Sequence, residues 1–473
     1  MPILEMSSQQ GTKLDNGSLL QRINRFLRTP QYIALVMLLA AISNIFSLEL
    51  VVYGVYVALV AYICVLGDDL LPLIPVVACC YVAPSVQNNP GREENSVFFT
   101  GHGGNVIVFY AVVIAAALVY YLIRNRKQYL SRKYALLTGM LALSAAYLLS
   151  GIGSDFYPAA IRQNLLFALV QGCALELPYL LIAGGVKWEN ARKDYFGWVG
   201  FCLGILILVQ EGWIYCTAGV VTGGAIERRL VYTGWGMHNN IGSLLATMIP
   251  FAFYIAIKYR KAWIGAVVAA AFLGGVVLTC SRTSMVLGMA AYAVGLLLML
   301  HDKNNRKQTT IILVGIACGL VLMFALFYEQ MMQLFSDLLR RKLNLSGREE
   351  IYEEGWRQFL EQPIFGNTFF TVRYFDPWST VSAFTDFFPS RWHNTFIQLM
   401  ASCGCVGLVA YIFHRVQTVK LFVKNRSKES LFIGCAALVM LACSLMDCHF
   451  FNIGPVLVYS MSLAFAENSH KIP

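Results

Sequence analysis

The hydrophobic pattern of the chain is a succession of long apolar stretches separated by short polar turns. Crossing the hydrocarbon core of a bilayer as an α-helix takes roughly 20 mostly apolar residues, and many of these stretches approach that length. They predict an all-α fold, a polytopic membrane helical bundle with about 14 transmembrane helices. The expected spans are residues 32–48, 50–67, 70–86, 105–123, 134–153, 161–186, 196–216, 239–257, 262–279, 284–300, 309–328, 393–413, 431–447 and 451–466.

One polar interval, residues 329–392, is far longer than the turns between the other apolar stretches. Loops of this length in compact proteins are usually functional or disordered, and the helical patterns inside this one favour function. The chain is therefore expected to divide into a cytoplasmic N-terminal segment (1–31), a transmembrane bundle (32–328), an external loop domain with amphipathic helices (329–392), the C-terminal part of the bundle (393–466) and a cytoplasmic tail (467–473).

Two amphipathic helices are predicted in this loop. The first, over residues 329–345, has an apolar face that ends in a basic run, which is typical of a helix lying in the lipid interface. The second follows Ser346, which forms a capping box with Glu349, and stops before Pro363. Its apolar face carries four residues at helical spacing: Arg348, Tyr352, Trp356 and Phe359.

Arg348 breaks two local rules, because it is a cation on an apolar face and in the first turn, where the helix dipole disfavours positive charge. Local rules are often broken at functional sites, so an anion-binding role is one interpretation. The other is a structural arginine that lays its stem on apolar surface and keeps its head in water.

Composition and charge indicate the class of protein and its orientation. Of 473 residues, 58% are hydrophobic and only 13% are charged, which is unlike an ordinary soluble domain. Most of the 36 Lys and Arg residues fall on one side of the predicted bundle, and by the positive-inside rule that side is cytoplasmic. Both termini are therefore expected inside and the loop outside, with the first span an anchor and not a cleaved signal. This asymmetry accounts for the net charge of +10, so no nucleic-acid partner is expected.

The cysteines and carboxylates predict neither a metal site nor another cofactor. The 13 cysteines form no CxxC pair, and most of them fall inside predicted spans, where Cys behaves as a small hydrophobic residue. No Asp-x-Asp pair occurs in the expected outer loops, so the sequence offers no obvious magnesium site.

Polar residues near the ends of apolar spans are the candidates for chemistry, because ionisable groups in a membrane are costly and often functional. With the loop outside, most of them are expected at the outer face. They are Glu211, His238, Asn239, Arg282, His393, Asn394, Asp447 and His449. Glu176 is the exception near mid-membrane, where Pro178 indicates a kink and an internal partner is as good an interpretation as catalysis.

The order of five motifs resembles a known family. GMHNNIGSLLATMIPF is followed by SRTSMVLG, then by SGREEIYEEGW and PIFGN in the loop, then by HN, nine residues and GCVG. From Gly234 to Gly407 this is similar to the superfamily of bacterial O-antigen ligases and O-antigen polymerases. The resemblance implies a multispan helical bundle of the kind shared by lipid-carrier glycosyltransferases. It also implies a glycan donor linked to a lipid pyrophosphate, used without a nucleotide sugar at the outer face of the cytoplasmic membrane.

The resemblance assigns the catalytic histidine to His393 and the pyrophosphate-binding arginines to Arg282 and Arg348. The chemistry of these residue types agrees, because Arg grips phosphate oxygens with two parallel hydrogen bonds and the pKa of His lies near neutral pH. An inverting, metal-independent transfer is expected. Further contacts with donor or acceptor are expected from Glu211, His238, Asn239, Asn394, Tyr352 and Trp356.

Three functions remain open. About 14 spans exceed what is expected of a typical ligase and favour a polymerase of surface polysaccharide, whereas a ligase would attach the glycan to a lipid core, a protein or a wall polymer. A transporter or flippase of lipid-linked glycans is the alternative of another class, and it should contain broken helices at mid-membrane. The expected partners are the lipid-linked donor, the glycan acceptor, the bilayer, and a chain-length regulator and flippase of the same pathway.

Overall fold

The computed structural model describes residues 19–80, 104–155, 157–222, 225–326, 328, 332, 348–368 and 392–472. Over these residues the chain forms 17 α-helices, and its strands are limited to two short hairpins. The predicted class, an all-α polytopic membrane protein, is confirmed. The predicted loop helix over 329–345 and the capping residue Ser346 lie outside the described residues, apart from Met332.

The helices of the first half are α1 (Leu19–Phe26), α2 (Pro30–Phe46), α3 (Glu49–Leu66), α4 (Leu73–Cys80), α5 (Gly104–Arg124), α6 (Arg126–Leu130), α7 (Leu137–Leu149), α8 (Tyr157–Gly185), α9 (Tyr195–Thr217) and α10 (His238–Tyr259). Two antiparallel hairpins precede α10: β1 (Val221–Thr222) with β2 (Ala225–Ile226), and β3 (Tyr232–Thr233) with β4 (Gly236–Met237). The second half contains α11 (Ala262–Leu278), α12 (Arg282–His301), α13 (Arg306–Leu326), α14 (Arg348–Glu361), α15 (Thr395–Lys424), α16 (Lys428–Cys443) and α17 (Ile453–Asn468).

Every predicted span overlaps one of these helices, but the helices differ in length. By length and composition alone, six described helices are long and apolar enough to cross a membrane: α3, α8, α9, α10, α12 and, if its whole length is taken without regard to a break, α15. The pair α1 and α2, bent by 72°, qualifies as a seventh if it is one span, whereas α7 and α11 are apolar but shorter. The predicted span 70–86 contains only the eight-residue α4, and its remainder lies outside the described residues.

Helix α10 is the centre of the bundle, since 94% of its apolar window is buried. It packs against α9, α11, α12 and α16. Small residues on these neighbours let the large side chains of α10 approach closely, as helix packing in membranes requires. Gly200 of α9 lies against Phe251, and Gly295 of α12 lies against Phe253.

Helix α15 is broken at Gly404, which has φ 61° and ψ −155°. Along a straight helix Phe396 and Tyr411 would be about 22 Å apart, yet their ring centroids are 5.5 Å apart. The helix therefore folds sharply into a first arm, residues 395–403, and a second arm, residues 405–424. The prediction of one continuous inward-running span over 393–413 was wrong. Gly404 interrupts the helix with a backbone conformation that glycine, lacking a Cβ, can adopt without strain.

The loop segment 363–368, which contains the PIFGN motif, supplies the hydrogen bonds that the break removes. The amides of Cys405 and Val406 donate to the carbonyls of Pro363 and Ile364, at 2.8 and 3.2 Å. On the other side of the break, the carbonyl of Ala401 accepts from the amide of Asn367 at 2.9 Å. Two further ties bind the same region to the end of α7, since Ser150 Oγ donates to the Ser402 carbonyl and the Gly151 amide donates to the Phe365 carbonyl. The loop and the broken helix thus form one packed unit.

Candidate active site

His393 lies where the chain enters the first arm of α15, and its backbone is fixed from both sides. The buried Trp392 donates its amide to Gln398 Oε1 at 3.1 Å, while Asn394 Oδ1 caps the helix by accepting from the Phe396 amide at 2.8 Å. Between them His393 has φ 50°, the left-handed region. A non-glycine residue pays for this conformation in strain, which proteins retain mainly at functional sites.

Asn394 also ties this entry to the end of α16. Its Nδ2 donates to the Leu445 carbonyl at 2.9 Å, and the neighbouring Thr395 amide donates to the Ser444 carbonyl at 3.0 Å. Both polar ends of the Asn394 side chain are thus used within the protein. This favours a structural role over the predicted contact with donor or acceptor.

The side chain of His393 faces Asp447, in the turn between α16 and α17. His393 Nδ1 lies 3.3 Å from Asp447 Oδ1, with 35% of the histidine side chain exposed and 10% of the aspartate side chain. The Cys448 amide also donates to Oδ1, at 2.8 Å. Burial alone would raise the pKa of Asp447, but the adjacent imidazole of His393 and the charge of His449 hold that pKa below its usual range. Asp447 is therefore an anion that can orient the imidazole.

The start of α10 reaches the same aspartate. The charges of Asp447 and Arg228 both act on His238, whose Nδ1 is buried and has no hydrogen-bond partner among the described residues. Next to it, Asn240 Oδ1 accepts from Asn452 Nδ2 at 3.2 Å. The two His-Asn segments of the sequence therefore converge on the turn that carries Asp447.

Helix α14 of the loop packs on the entry to α15. A side chain at Gly355 would overlap Ile397 and Trp392, so glycine permits this close contact. Tyr352 donates its hydroxyl to the His393 carbonyl at 3.3 Å, and burial raises the pKa of Tyr352, which keeps that hydroxyl protonated. The buried face of α14 is thus centred on Gly355 and Gln358, whereas Trp356, predicted on the apolar face, is 47% exposed.

Arg348, the first residue of α14, is half-buried and close enough for its charge to act on Tyr352, one turn along the helix. It has no hydrogen bond or ion pair with any other described residue. Among the described residues the guanidinium is thus unpaired, one turn from the residue that contacts His393.

Arg282, the first residue of α12, is exposed and makes no hydrogen bond or ion pair within the part of the chain that the structure describes. A row of hydroxyls holds its turn: Ser281 Oγ lies 2.8 Å from Ser284 Oγ, which lies 3.0 Å from Ser243 Oγ of α10. The hydroxyls therefore hold the backbone at Arg282, while among the described residues its guanidinium is exposed and unpaired.

Glu211 does not join the histidines. It is fully buried in α9, and both carboxylate oxygens lack a hydrogen-bond partner among the described residues. A Cβ built on Gly275 of α11 would lie 2.8 Å from Glu211 Oε2, which places the carboxylate at the contact of two helices. Asn239 is partly exposed, and its neighbour Asn240 makes the contact with Asn452.

Sequence reasoning placed Asp447 and His449 at the same end of the bundle as His393 but did not pair Asp447 with His393. It missed Asn240, Asn452 and Gln398 altogether, because amides in apolar segments give no periodic signal. The one signal for Asp447 was a carboxylate at the end of an apolar span, where burial is costly unless a partner is present.

The charged groups of the site are histidines, one aspartate and arginines. Among the described residues, no group of three or more His, Cys, Asp or Glu side chains could hold a metal ion.

Comparison with known proteins agrees with the motifs. Residues 267–412 match the family model described as O-antigen ligase. The match includes the turn of Arg282, the loop with Arg348, and His393, and it begins after His238. No curated protein matches the chain. Over residues 267–412 the chain is thus similar to the O-antigen ligase family, which supports the resemblance that the motifs predicted.

Proposed function

We propose that this membrane enzyme is a glycosyltransferase that moves a glycan from a polyprenyl pyrophosphate to an acceptor sugar at the outer face of the cytoplasmic membrane. The observation that carries the proposal is the pair of His393, inside the matched residues 267–412, and the buried carboxylate of Asp447, which lies beyond them and faces the imidazole. Such a pair is suited to removing a proton from a sugar hydroxyl.

His393 acts as the general base. Asp447 Oδ1 lies 3.3 Å from Nδ1, so with the Nδ1 proton directed at the carboxylate Nε2 is the basic nitrogen, and the aspartate stabilises the imidazolium that forms. The acceptor oxygen forms a bond with the anomeric carbon as the bond between that carbon and the pyrophosphate oxygen breaks. The hydroxyl proton moves to Nε2, and the configuration at the anomeric carbon inverts.

Arg282 and Arg348 bind the departing pyrophosphate. Neither guanidinium has a hydrogen-bond or ion-pair partner among the described residues, and each stands at the first residue of a helix. A guanidinium cannot lose its proton near neutral pH, so it stabilises the growing negative charge throughout the reaction without a metal ion. The exposed ring of Trp356 and the side chains of His238 and Asn239 contact the sugars of donor or acceptor.

Polymerisation is the specific reaction we propose, with ligation to a lipid core, a protein or a wall polymer as the alternative.

The break in α15 is the feature that a transporter of lipid-linked glycans would also need. In transporters the helix ends exposed by such breaks bind the substrate. Here the first amides of the second arm already donate hydrogen bonds to the carbonyls of Pro363 and Ile364. They are therefore not free to bind a transported substrate, which favours transfer chemistry over transport.

The experiment is to incubate purified protein with a lipid-pyrophosphate glycan as the sole substrate, in excess chelator, and to resolve the products by size. A ladder of longer lipid-linked chains is the expected result. Transfer only after a lipid core or protein acceptor is added would establish the ligase instead. Activity that disappears in chelator and returns with one divalent ion would contradict the metal-independent mechanism.

A further inference from the structure

Arg415 lies near the middle of the second arm of α15, where it is partly buried. A cation inside a membrane bundle is costly to bury and is retained where it has a task.

Aromatic rings surround this cation. Its guanidinium carbon lies 4.4 Å from the ring centroids of Tyr411 and Phe450 and 5.1 Å from that of Tyr459, and Nη1 donates to the Tyr459 hydroxyl. No carboxylate forms an ion pair with it among the described residues, and its Nε and Nη2 are buried without a hydrogen-bond partner there. Stacking on aromatic faces therefore stabilises the cation together with the hydrogen bond to Tyr459, and the stacking requires the flat guanidinium.

The rings that Arg415 joins belong to two different segments. Phe450 lies in the turn between α16 and α17, three residues after Asp447. Tyr411 contacts Phe450 at 5.6 Å between centroids, and on its other side it contacts Phe396, on the first arm just after His393. The guanidinium thus binds the segment of the aspartate to the segment of the histidine.

We propose that Arg415 is a positioning residue, which stacks on Tyr411 and Phe450 and thereby holds the turn of residues 447–452 so that Asp447 faces His393. Its effect on activity rests on the proposed function. Its effect on the turn does not, because the turn contains Cys448, a fully buried thiol beside Asp447 that reports the turn's position directly.

Two substitutions test the proposal. Arg415→Met keeps the length of the side chain without charge or plane, and Arg415→Lys keeps the charge without the plane. Arg124→Met is the matched control, because Arg124 also lies over two rings, Tyr120 and Tyr121, at the end of α5. Thiol labelling is located by peptide mapping, and transfer is measured as kcat and as KM for the lipid-linked donor.

Both Arg415 variants should make Cys448 reactive while Cys64 and Cys79, buried in α3 and α4, stay protected. In both, kcat should fall by about 10²-fold with KM for the donor nearly unchanged, the size expected when a catalytic group is displaced by about 1 Å. Arg124→Met should match the wild type in both measurements.

Cys448 that stays protected in Arg415→Met would overturn the proposal, and so would unchanged kcat in that variant. Labelling of Cys64 and Cys79 together with Cys448 would also overturn it, because Arg415 would then support the whole bundle and not the turn. A wild-type protein without transfer activity, in which Cys448 still responds as expected, would refute the proposed function and leave this inference standing.

Discussion

At the scale of single residues, His393 combines a left-handed backbone with an imidazole that faces a buried aspartate. The sequence marked His393 as a candidate through its motif, but it could not reveal its partner, because the pairing depends on how the turn before α17 folds back. Among the described residues, neither the Arg282 nor the Arg348 guanidinium has a hydrogen-bond or ion-pair partner. Their roles in binding pyrophosphate stay predictions.

His393→Gln tests for a general base. Glutamine keeps hydrogen-bonding capacity but cannot take up a proton near neutral pH, so turnover should fall by about 10²- to 10⁴-fold while donor binding is retained. Single-turnover kinetics and binding of the lipid-linked donor measure the two effects. The control is His301→Gln, at the exposed end of α12. Near-normal turnover in the His393 variant would mean that this residue only positions the acceptor.

Arg282→Ala should reduce turnover by about 10²- to 10³-fold, the effect of losing one preorganised charge at the leaving group. Arg282→Lys should retain part of the activity, because it keeps the charge and loses the two-pronged grip. Since Arg282 has no internal partner among the described residues, the thermal stability of both variants should be unchanged. Arg306→Ala, at the exposed start of α13, is the control, and equal activity of all three variants would remove Arg282 from the site.

Asp447→Asn tests the buried charge through the pH dependence of stability. Because the pKa of Asp447 is depressed in the fold, the ionised side chain stabilises the protein above its unfolded pKa, near 3.9, and this contribution is lost as pH falls through the folded pKa. The difference in Tm between wild type and variant should be largest near neutral pH and should narrow below about pH 4. The titratable groups that face Asp447 are His393, His449, His238, Cys443 and Tyr352. A difference that widens in acid would mean that Asp447 is protonated in the fold.

At the scale of elements, sequence reasoning succeeded where a signal is local. The helix predicted between Ser346 and Pro363 is α14, which ends at Glu361. It failed where the cause is distant in sequence, as at Gly404, because a glycine in an apolar stretch is ordinarily tolerated inside a helix. The carbonyls of Pro363 and Ile364, which accept hydrogen bonds from the amides freed by the break, belong to another part of the chain.

Gly404→Ala should destabilise the protein. The backbone conformation at Gly404 is nearly exclusive to glycine and costs other residues about 1–3 kcal/mol. A Cβ there would also lie 2.4 Å from the Ile364 carbonyl oxygen. Gly274→Ala in α11 is the control, since a Cβ at Gly274 meets nothing within 4 Å. The Tm of each purified variant is measured by thermal unfolding. Equal Tm values for Gly404→Ala and Gly274→Ala would contradict a break in α15 at Gly404.

At the scale of the whole molecule, the hydrophobic pattern located a helix for every predicted span, whereas the orientation in the membrane stays a prediction from charge. Single cysteines at the exposed Glu353 of α14 and the exposed Asn304 between α12 and α13 should be labelled from opposite sides of intact cells, Glu353 from outside. Peptide mapping separates them from the native thiols. Labelling of both from the same side would reverse the proposed orientation.

The union of loop segment 363–368 with the break in α15 bears on how the protein is made. Lipid offers no hydrogen-bond partners, so the amides of Cys405 and Val406 cannot be left unsatisfied in the membrane. Their acceptors, Pro363 and Ile364, are synthesised earlier and belong to the loop. Stable insertion of α15 must therefore wait for the end of the loop to dock. A chimera that exchanges this loop between relatives should carry residues 363–368 and the broken helix together. Exchanging only one of them would remove the hydrogen-bond partners of the other.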